Sequence, residues 1–364
     1  MNANTQRLHA LGQSLWLDNI SRPLLDDGTL TRYIAEFSIT GLTSNPTIFE
    51  HAIGGGSSYD AQIAELAHAG RSGEALFFAL ALQDLTRAAD LFRPAHDASG
   101  GMDGWASLEV SPLIAGDAAR TIEAVAHLHA AAARPNLFIK IPGTTAGLAA
   151  IEESIFEGRS INVTLLFSRE QYLAAAQAYL RGIERRIALG RDPKVRAVAS
   201  LFVSRWDVAV KDQVAPEWRN RLGIAIAQRT YRAYRELLAS PRWQALEAAG
   251  AWPQRLLWAS TGTKDPAAPD TLYVEALAAP DTIDTIPDKT LQAFAEHGKV
   301  DAPMAQDGGD AERVLAELRR QGIDDAALAQ RLQREGADAF SKSWHALLAR
   351  IDEKSAQLTG AGAK

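Results

Sequence analysis

Short apolar segments alternate with longer amphipathic segments along most of the chain. Eight short segments have the length and apolar content of buried strands, and the segments between them repeat apolar residues three and four positions apart, as helices do. This order is typical of repeated strand–helix units around a parallel sheet. The predicted strands are Ser14–Ile20, Ile39–Ser44, Trp105–Val110, Asn136–Ile141, Ile161–Leu166, Ala197–Phe202, Leu256–Ser260 and Thr282–Ile286.

Two of the amphipathic segments carry clear helix boundaries. The segment Asp117–Ala133 stops before Pro135, and the segment Ser168–Leu189 opens with a capping serine and stops before Gly190. Eight strand–helix units in about 250–290 residues predict the α/β class and a (β/α)8 TIM barrel. A doubly wound sheet is the alternative, but no Gly-x-Gly-x-x-Gly follows the first strand.

The residues beyond a minimal barrel fall into three places. We expect residues 1–364 to form one barrel domain, with helical insertions at about 51–93 and 216–249 and a helical C-terminal extension from about 288. Gly54-Gly55-Gly56 is interpreted as a loop leading into a helix capped by Ser57 or Ser58. Glycine-rich turns divide the extension into three or four helices. Its apolar stripe within 340–358 predicts packing on the barrel or, as the alternative, a dimer contact.

Composition excludes several functional classes. The 364 residues include no cysteine, which removes disulfides, thiol catalysis and Cys-based metal sites. The formal charge of -6 is unfavourable for a nucleic-acid partner. No apolar stretch reaches about 18 residues, so no membrane span is expected. Residues 1–20 lack a secretory pattern, so we expect a cytoplasmic protein. We also expect it to be a monomer or a homodimer.

Two other patterns are given structural interpretations. His127 and His129 lie two apart on a predicted helix and face different sides, so no metal site is expected. The Trp, Tyr and Arg residues within 218–235 have the spacing of an amphipathic helix with a solvated basic face, which we favour over an RNA-stacking surface.

Polar residues interrupt the predicted strands near their C-terminal ends. Barrel strands are covered on both faces and are ordinarily apolar, and the C-terminal ends are where barrel enzymes place their active sites. Each residue alone has a structural explanation, such as a helix cap, a lysine reaching the rim or a hydroxyl bonded to backbone. Together they predict convergence on one pocket. These residues are Asp18, Ser107, Glu109, Lys140, Asn162, Thr164, Ser200 and Arg205.

One buried lysine with two carboxylates is sufficient for a metal-free aldol reaction. Burial among polar but not strongly acidic groups disfavours an ammonium ion and makes a neutral amine available. Such an amine attacks a carbonyl and forms a Schiff base, which accepts electrons when a neighbouring C–C bond breaks. The carboxylates at Asp18 and Glu109 can move the hydroxyl proton and the water that this chemistry needs.

Six segments, in chain order, resemble the signatures of the transaldolase family. The set around the strand lysine is specific in combination, although each segment alone is weak, and the resemblance extends from the first strand to at least Thr263. The segment Trp258–Lys264 is similar to a longer bacterial branch of that family. The six segments are Leu17-Asp18, Leu42–Thr47, Ser107–Val110, Phe138–Pro142, Ile161–Phe167 and Ser200–Arg205.

The resemblance implies a (β/α)8 barrel that transfers a dihydroxyacetone unit between sugar phosphates in the pentose phosphate pathway, without a cofactor. Lys140 matches the Schiff-base lysine, and Asp18 matches the carboxylate that moves the proton during C–C cleavage. Glu109 and Thr164 match the pair that positions the water of imine formation and hydrolysis.

The same resemblance implies two groups of substrate-binding residues. Arg205 matches the main phosphate-binding cation, and Ser260 matches a further phosphate contact. A second cation is not at the family spacing, so Lys264 is the expected substitute. The alternatives are an exposed loop lysine at Lys264 and a surface pair between Arg205 and Asp207. The residues that match the lining of the dihydroxyacetone pocket are Asn45, Ser107, Asn162 and Ser200.

The sequence leaves other functions open. A fructose-6-phosphate aldolase on the same barrel would keep Lys140 but release free dihydroxyacetone; Glu109 and the insertions favour transaldolase. A non-catalytic sugar-phosphate sensor would be expected to have lost the lysine or a carboxylate. A helical scaffold protein is disfavoured by the eight predicted strands. A pyridoxal-phosphate enzyme also uses a lysine imine but would be yellow when purified.

Overall fold

Eight parallel strands close into a barrel in a computed structural model, which describes residues 1–360. Each strand pairs with the next along the chain, and the last pairs with the first. This closed order confirms the predicted (β/α)8 barrel. The strands are β1 Ser14–Leu17, β2 Ile39–Thr43, β3 Trp105–Glu109, β4 Leu137–Pro142, β5 Ile161–Leu166, β6 Ala197–Phe202, β7 Gln254–Ala259 and β8 Thr282–Ile286.

The predicted strands all exist, and β5, β6 and β8 have the predicted bounds. The largest differences are at β1, which ends at Leu17 rather than Ile20, and at β7, which begins at Gln254. Asp18 lies just beyond the strand and lines the cavity at the barrel mouth, and its backbone N–H still donates to the carbonyl of Ile286 at 2.9 Å.

Sixteen helices are present among residues 1–360, and most of them surround the barrel. They are α1 Ala3–Ala10, α2 Arg22–Asp26, α3 Thr29–Phe37, α4 Pro46–Gly54, α5 Asp60–His68, α6 Gly73–Ala98, α7 Ala118–Ala132, α8 Thr145–Phe156, α9 Arg169–Ala188, α10 Ser204–Val210, α11 Leu222–Leu238, α12 Pro241–Ala248, α13 Leu272–Ala276, α14 Asp288–His297, α15 Ala311–Arg320 and α16 Asp325–Gly360.

Helix boundaries follow local chemistry at two of the predicted positions. Ser168 caps α9 by accepting the backbone N–H of Gln171, and α7 ends where Ala133 adopts a left-handed conformation at φ 47°. The prediction for the glycine run was wrong. Helix α4 continues through Gly54, and neither Ser57 nor Ser58 caps α5, because Tyr59 occupies the position before it.

Additional helices lie between β2 and β3 and between β6 and β7. Three helices, α4 to α6, separate β2 from β3, so two exceed the barrel pattern, and α11 with α12 fills 222–248. The prediction that the basic face of α11 is solvated was wrong at Arg229. Its guanidinium is buried and bonded to Glu312 and Asp325 of the C-terminal extension. The extension supplies acids that the local pattern could not anticipate.

The C-terminal extension packs on the barrel, as predicted. Helix α16 contacts β5 and the insertion helices α4, α5 and α6. Its buried side chains Phe340, Trp344, Leu347 and Ile351 belong to the main hydrophobic core. Trp344 packs edge-on against Phe77 at a centroid distance of 4.8 Å. No helix among residues 1–360 is long and apolar enough to cross a membrane.

Aromatic rings fill the barrel below the mouth. The rings of Trp105 and Phe138 stack with centroids 4.0 Å apart, and Trp16 lies 6.0 Å from Phe138. Gly41 is required here, because a Cβ atom on it would come within 2.7 Å of the Trp16 ring. This packed layer fills the interior under the polar residues at the C-terminal mouth.

Candidate active site

A cavity of about 120 Å³ lies at the C-terminal mouth of the barrel. Eight of the predicted site residues line it. Glu109, Ser107 and Asn162 are buried and contact residues of that lining directly or through one another. The barrel therefore brings the predicted set together. The eight lining residues are Asp18, Asn45, Lys140, Thr164, Ser200, Arg205, Ser260 and Lys264.

Lys140 lies on β4 with only 5 % of its surface exposed. Its Nζ donates to the backbone carbonyl of Ser44 at 2.8 Å and lies 3.2 Å from Oε2 of Glu109. The expectation of surroundings without strong acidity was wrong, because β3 places a carboxylate beside the amine. The nitrogen thus has a carboxylate oxygen within reach that can accept a proton from it.

Glu109 combines burial with unsatisfied hydrogen-bonding capacity. Burial raises the pKa of its carboxyl group, and the positive charge of Lys140 opposes that rise. Oε1 of Glu109 and Oγ1 of Thr164 are buried and have no partner among the described residues. Buried polar atoms of this kind are ordinarily satisfied by water. These two groups fit a role in holding a water near Nζ.

Asp18 follows β1 and lines the same cavity as Lys140. Its Oδ1 accepts the hydroxyl of Thr43 at 2.9 Å, and that hydroxyl also lies 2.6 Å from Oγ1 of Thr285. Burial raises the pKa of Asp18, opposed by the charge of Lys140 and the bond from Thr43. A carboxyl group whose protonated form is favoured in this way can both take and return a proton.

Three polar side chains form a chain of hydrogen bonds across the strands behind the lysine. Ser200 donates to Oδ1 of Asn162 at 2.7 Å, and the amide nitrogen of Asn162 donates to Ser107 at 3.3 Å. All three are almost fully buried. The register of β5 with β6 shifts between Val163 and Leu166, where Leu165 has a left-handed backbone conformation at φ 58°. The chain presents fixed polar groups to a small hydroxylated ligand.

Arg205, the second residue of α10, faces the cavity. Its guanidinium lies 5.1 Å from the ring centre of Phe202, and the surface pair with Asp207 is not formed. Asp207 instead accepts the backbone N–H groups of Leu222 and Gly223, which lie at the start of α11. Burial lowers the pKa of Arg205, although the negative charges of Asp18 and Glu109 oppose this. The guanidinium is available to an anion.

The remaining cavity residues come from loops. Ser260 has φ 59°, and its Oγ lies 2.8 Å from Oγ of Ser204. Lys264 is exposed. It lines both the cavity of about 120 Å³, called the reaction cavity below, and a second groove next to Asp207 and Arg219. Asn45 caps α4, since its Oδ1 accepts the N–H of Ile48, and this leaves the NH2 group of its amide for a ligand. These positions fit an outer, solvent-facing part of the site.

Several cavity residues were not predicted individually. Thr43 and Phe202 lie inside the quoted motifs, so the pattern placed them near the site without indicating their contacts. Thr285 had no signal beyond its strand. Phe340 arrives from α16 and could not be anticipated from local pattern. Among residues 1–360, no three His, Cys, Asp or Glu side chains are arranged to hold a metal ion.

A family model described as Transaldolase/Fructose-6-phosphate aldolase matches residues 15–351. The chain belongs to this family. The match runs from β1 into α16, so it includes every element that contributes to the cavity.

Similar proteins cover the chain almost completely. A protein named transaldolase from Parafrankia sp. (strain EAN1pec) is 45% identical over 95% of this chain and 96% of its own length. Another from Thermobifida fusca is 43% identical over 99% and 100%. A third from Neisseria gonorrhoeae is 42% identical over 93% and 97%. The transaldolase family resemblance therefore extends over the whole barrel and its extension.

Proposed function

We propose that this chain is a transaldolase, a transferase that acts through a Schiff base on Lys140. It moves a dihydroxyacetone unit from sedoheptulose 7-phosphate to glyceraldehyde 3-phosphate, giving erythrose 4-phosphate and fructose 6-phosphate in the pentose phosphate pathway. Full-length similarity to proteins named transaldolase supports the reaction. The observation that carries the mechanism is the buried nitrogen of Lys140, a residue that lines the cavity, at 3.2 Å from Oε2 of Glu109.

Imine formation begins when the Lys140 amine attacks the ketose carbonyl at C2. The ammonium proton passes first to Glu109, which lies within direct reach. The carbinolamine then loses its hydroxyl as water, and Glu109 returns the proton that this departure requires. Thr164 contributes a buried hydroxyl that positions the same water for the reverse step. The product is a protonated imine on β4.

C–C cleavage then uses the imine as the electron acceptor. Asp18 takes the proton of the C4 hydroxyl, the C3–C4 bond breaks, and its electron pair moves into the imine to form an enamine. The aldose leaves with its new aldehyde group. When an acceptor aldehyde binds, the enamine carbon attacks it and Asp18 returns the proton to the new hydroxyl. Burial, which raises the pKa of Asp18, suits a group that alternates between both forms.

The polar chain behind Lys140 holds the three-carbon unit between these steps. Ser107, Asn162 and Ser200 offer bound hydroxyl and amide groups to the dihydroxyacetone oxygens, and Asn45 offers its amide from the rim. A cavity of about 120 Å³ suits that unit rather than a whole sugar phosphate. The remainder of the substrate extends outward into the adjoining cavity of about 520 Å³.

The phosphate binds at the outer edge of the reaction cavity. Arg205 grips it through paired N–H donors, because a guanidinium matches phosphate geometry bidentately. Ser260 adds a hydroxyl and Lys264 adds a mobile charge. Sugar phosphates are thus the partners that we propose, with no nucleic acid, cofactor or metal required.

Borohydride trapping tests this function. Treatment with fructose 6-phosphate followed by peptide mass mapping is expected to give a reduced three-carbon adduct on Lys140. The Lys140→Ala variant should give none, while Lys211→Ala, outside the reaction cavity, should label normally. An adduct on another lysine contradicts the assignment. Release of free dihydroxyacetone without an added aldose phosphate indicates the fructose-6-phosphate aldolase activity instead.

The proposal extends to the state of the enzyme. We place it in the cytoplasm, because doubly charged phosphate esters do not cross an apolar membrane unaided. One folding domain is supported by the shared core of the barrel and α16, and limited proteolysis should show no stable fragment lacking the extension. Light scattering should give a monomer or homodimer.

A further inference from the structure

Helix α16 is tied to the ends of two catalytic strands. The side-chain amide of Gln333 donates to the carbonyl of Gly143 at 3.1 Å and to that of Leu165 at 3.0 Å. Gly143 follows β4, which carries Lys140, and Leu165 lies on β5 beside Thr164. The C-terminal extension is therefore anchored at the barrel mouth itself.

Gly336 allows the helix to approach the site closely. A Cβ atom at this position would lie 3.1 Å from Nη1 of Arg205 and 3.0 Å from Cδ2 of Leu165. Contacts this short are tighter than ordinary van der Waals packing, so a larger residue would displace its neighbours. Glycine inside a helix costs about 1 kcal/mol relative to alanine, and here the close approach accounts for its presence.

Phe340, one turn further along α16, completes an aromatic enclosure of the guanidinium. Cζ of Arg205 lies 5.9 Å from the ring centre of Phe340 and 5.1 Å from that of Phe202. Phe340 also lines the reaction cavity and is almost fully buried. Within residues 1–360, no carboxylate lies within ion-pair distance of Arg205. Contact with ring faces holds the cation in place while leaving its N–H donors for a ligand.

We propose that Gly336 and Phe340 of the C-terminal helix are positioning residues, which orient Arg205 toward the phosphate monoester of the substrate. This rests on the proposed function for the identity of the sugar but not for the recognition of phosphate. The extension thereby becomes a wall of the active site and a determinant of preference for phosphorylated sugars.

Phe340→Leu tests the ring while keeping apolar bulk. We expect KM for fructose 6-phosphate to rise about 3- to 10-fold with kcat within about 2-fold, as loss of one cation–π contact implies. Borohydride trapping with unphosphorylated fructose should fall much less than trapping with fructose 6-phosphate. If Phe340 had a purely structural role, the variant would react less well with both sugars to the same extent, and that result overturns the proposal.

Gly336→Ala tests the close approach of the helix. Alanine favours the helix but its Cβ atom crowds Leu165 and Arg205, so these opposing effects should leave the thermal midpoint little changed, whereas phosphate binding should weaken about 2- to 5-fold because Arg205 is pushed aside. Unchanged phosphate binding contradicts the proposal. Leu348→Ala is the control on the same helix, since Leu348 packs against the core outside the reaction cavity; it should lower stability without changing phosphate preference.

Calorimetric titration with inorganic phosphate tests the inference independently of turnover. The wild-type protein should bind phosphate, Arg205→Ala should not, and Phe340→Leu should bind about 3- to 10-fold more weakly. In the Arg205→Ala background, Phe340→Leu should add no further rise in KM for fructose 6-phosphate. Equal affinity of wild type and Phe340→Leu refutes the positioning role. A different pair of results would refute the proposed function alone. In that case Lys140 is not labelled in the borohydride experiment, but Phe340→Leu still weakens phosphate binding.

Discussion

Lys140 and Glu109 face each other as direct partners in the pairing of β4 with β3, and Nζ lies 3.2 Å from Oε2. The sheet fixes both backbones, and burial together with the bond from Nζ to the carbonyl of Ser44 restrains the lysine side chain. Groups held in this way react without first paying the entropy of alignment. The pairing explains why the amine and the carboxylate meet inside the packed barrel.

Glu109→Gln should slow imine formation. The amide keeps the shape of the side chain but cannot accept the ammonium proton or return one to the departing hydroxyl, and loss of general acid–base catalysis costs about 10²–10⁴-fold. The measurement is the rate at which borohydride-trappable adduct appears with fructose 6-phosphate. A wild-type trapping rate would contradict the role assigned to this carboxylate.

Asp18→Asn should separate cleavage from imine formation. Its amide oxygen can still accept the Thr43 hydroxyl, so the geometry persists, but the group cannot take the C4 hydroxyl proton. We expect adduct to form at a near-normal rate while release of glyceraldehyde 3-phosphate falls about 10²–10⁴-fold. Rapid quench with product assay measures both. Equal loss of both steps contradicts the assignment.

Arg205→Lys and Lys264→Ala should differ in magnitude. A lysine cannot reproduce the bidentate donors of a guanidinium, so Arg205→Lys should raise KM for fructose 6-phosphate about 10-fold or more. Lys264 is exposed, and removing it should raise KM only about 2- to 5-fold, with the loss fading in high salt. Initial rates at two ionic strengths provide the comparison. An equal or larger effect at Lys264 would reverse the ranking of the two cations.

The stability of the fold should fall as pH rises through a buried carboxyl group outside the proposed chemistry. Burial raises the pKa of Asp284 to about 7, and its Oδ1 accepts the hydroxyl of Thr261 at 2.7 Å. The folded state therefore binds this proton more tightly than the unfolded state does. The associated stability is complete below about pH 4 and is lost as pH approaches and passes 7.

Asp284→Asn should flatten this pH dependence. The amide retains an acceptor for Thr261 and never ionises, so at pH 8 the variant should exceed wild type by about 2–4 kcal/mol, with little difference near pH 4. Urea unfolding at both pH values measures it. Part of the decline should persist, because burial also raises the pKa of Asp18 and Glu109. Asp352 is exposed on α16, so Asp352→Asn serves as the control and should show the same pH dependence of stability as wild type. If the stability of Asp284→Asn falls with pH as steeply as that of wild type, the prediction is contradicted.

Local pattern was sufficient for the strands and for the residue types at their ends. Lys140 and Glu109 were both noticed because a charge inside an apolar strand is unusual. Their partnership was not, because the strand register sets which residues face each other. Asp284 passed unnoticed within a strand that otherwise looked ordinary, and its neighbour Thr261 comes from another loop.

The order of the elements, the barrel class and the set of polar residues at the strand ends follow from the chain alone, because periodicity and short-range residue preferences are written in consecutive positions. The folded molecule adds the ion pair at Lys140, the burial of Arg229 by the extension and the enclosure of Arg205 by Phe340. Those contacts join residues far apart in sequence. They depend on closure of the barrel and on where α16 comes to rest, and no local pattern encodes either.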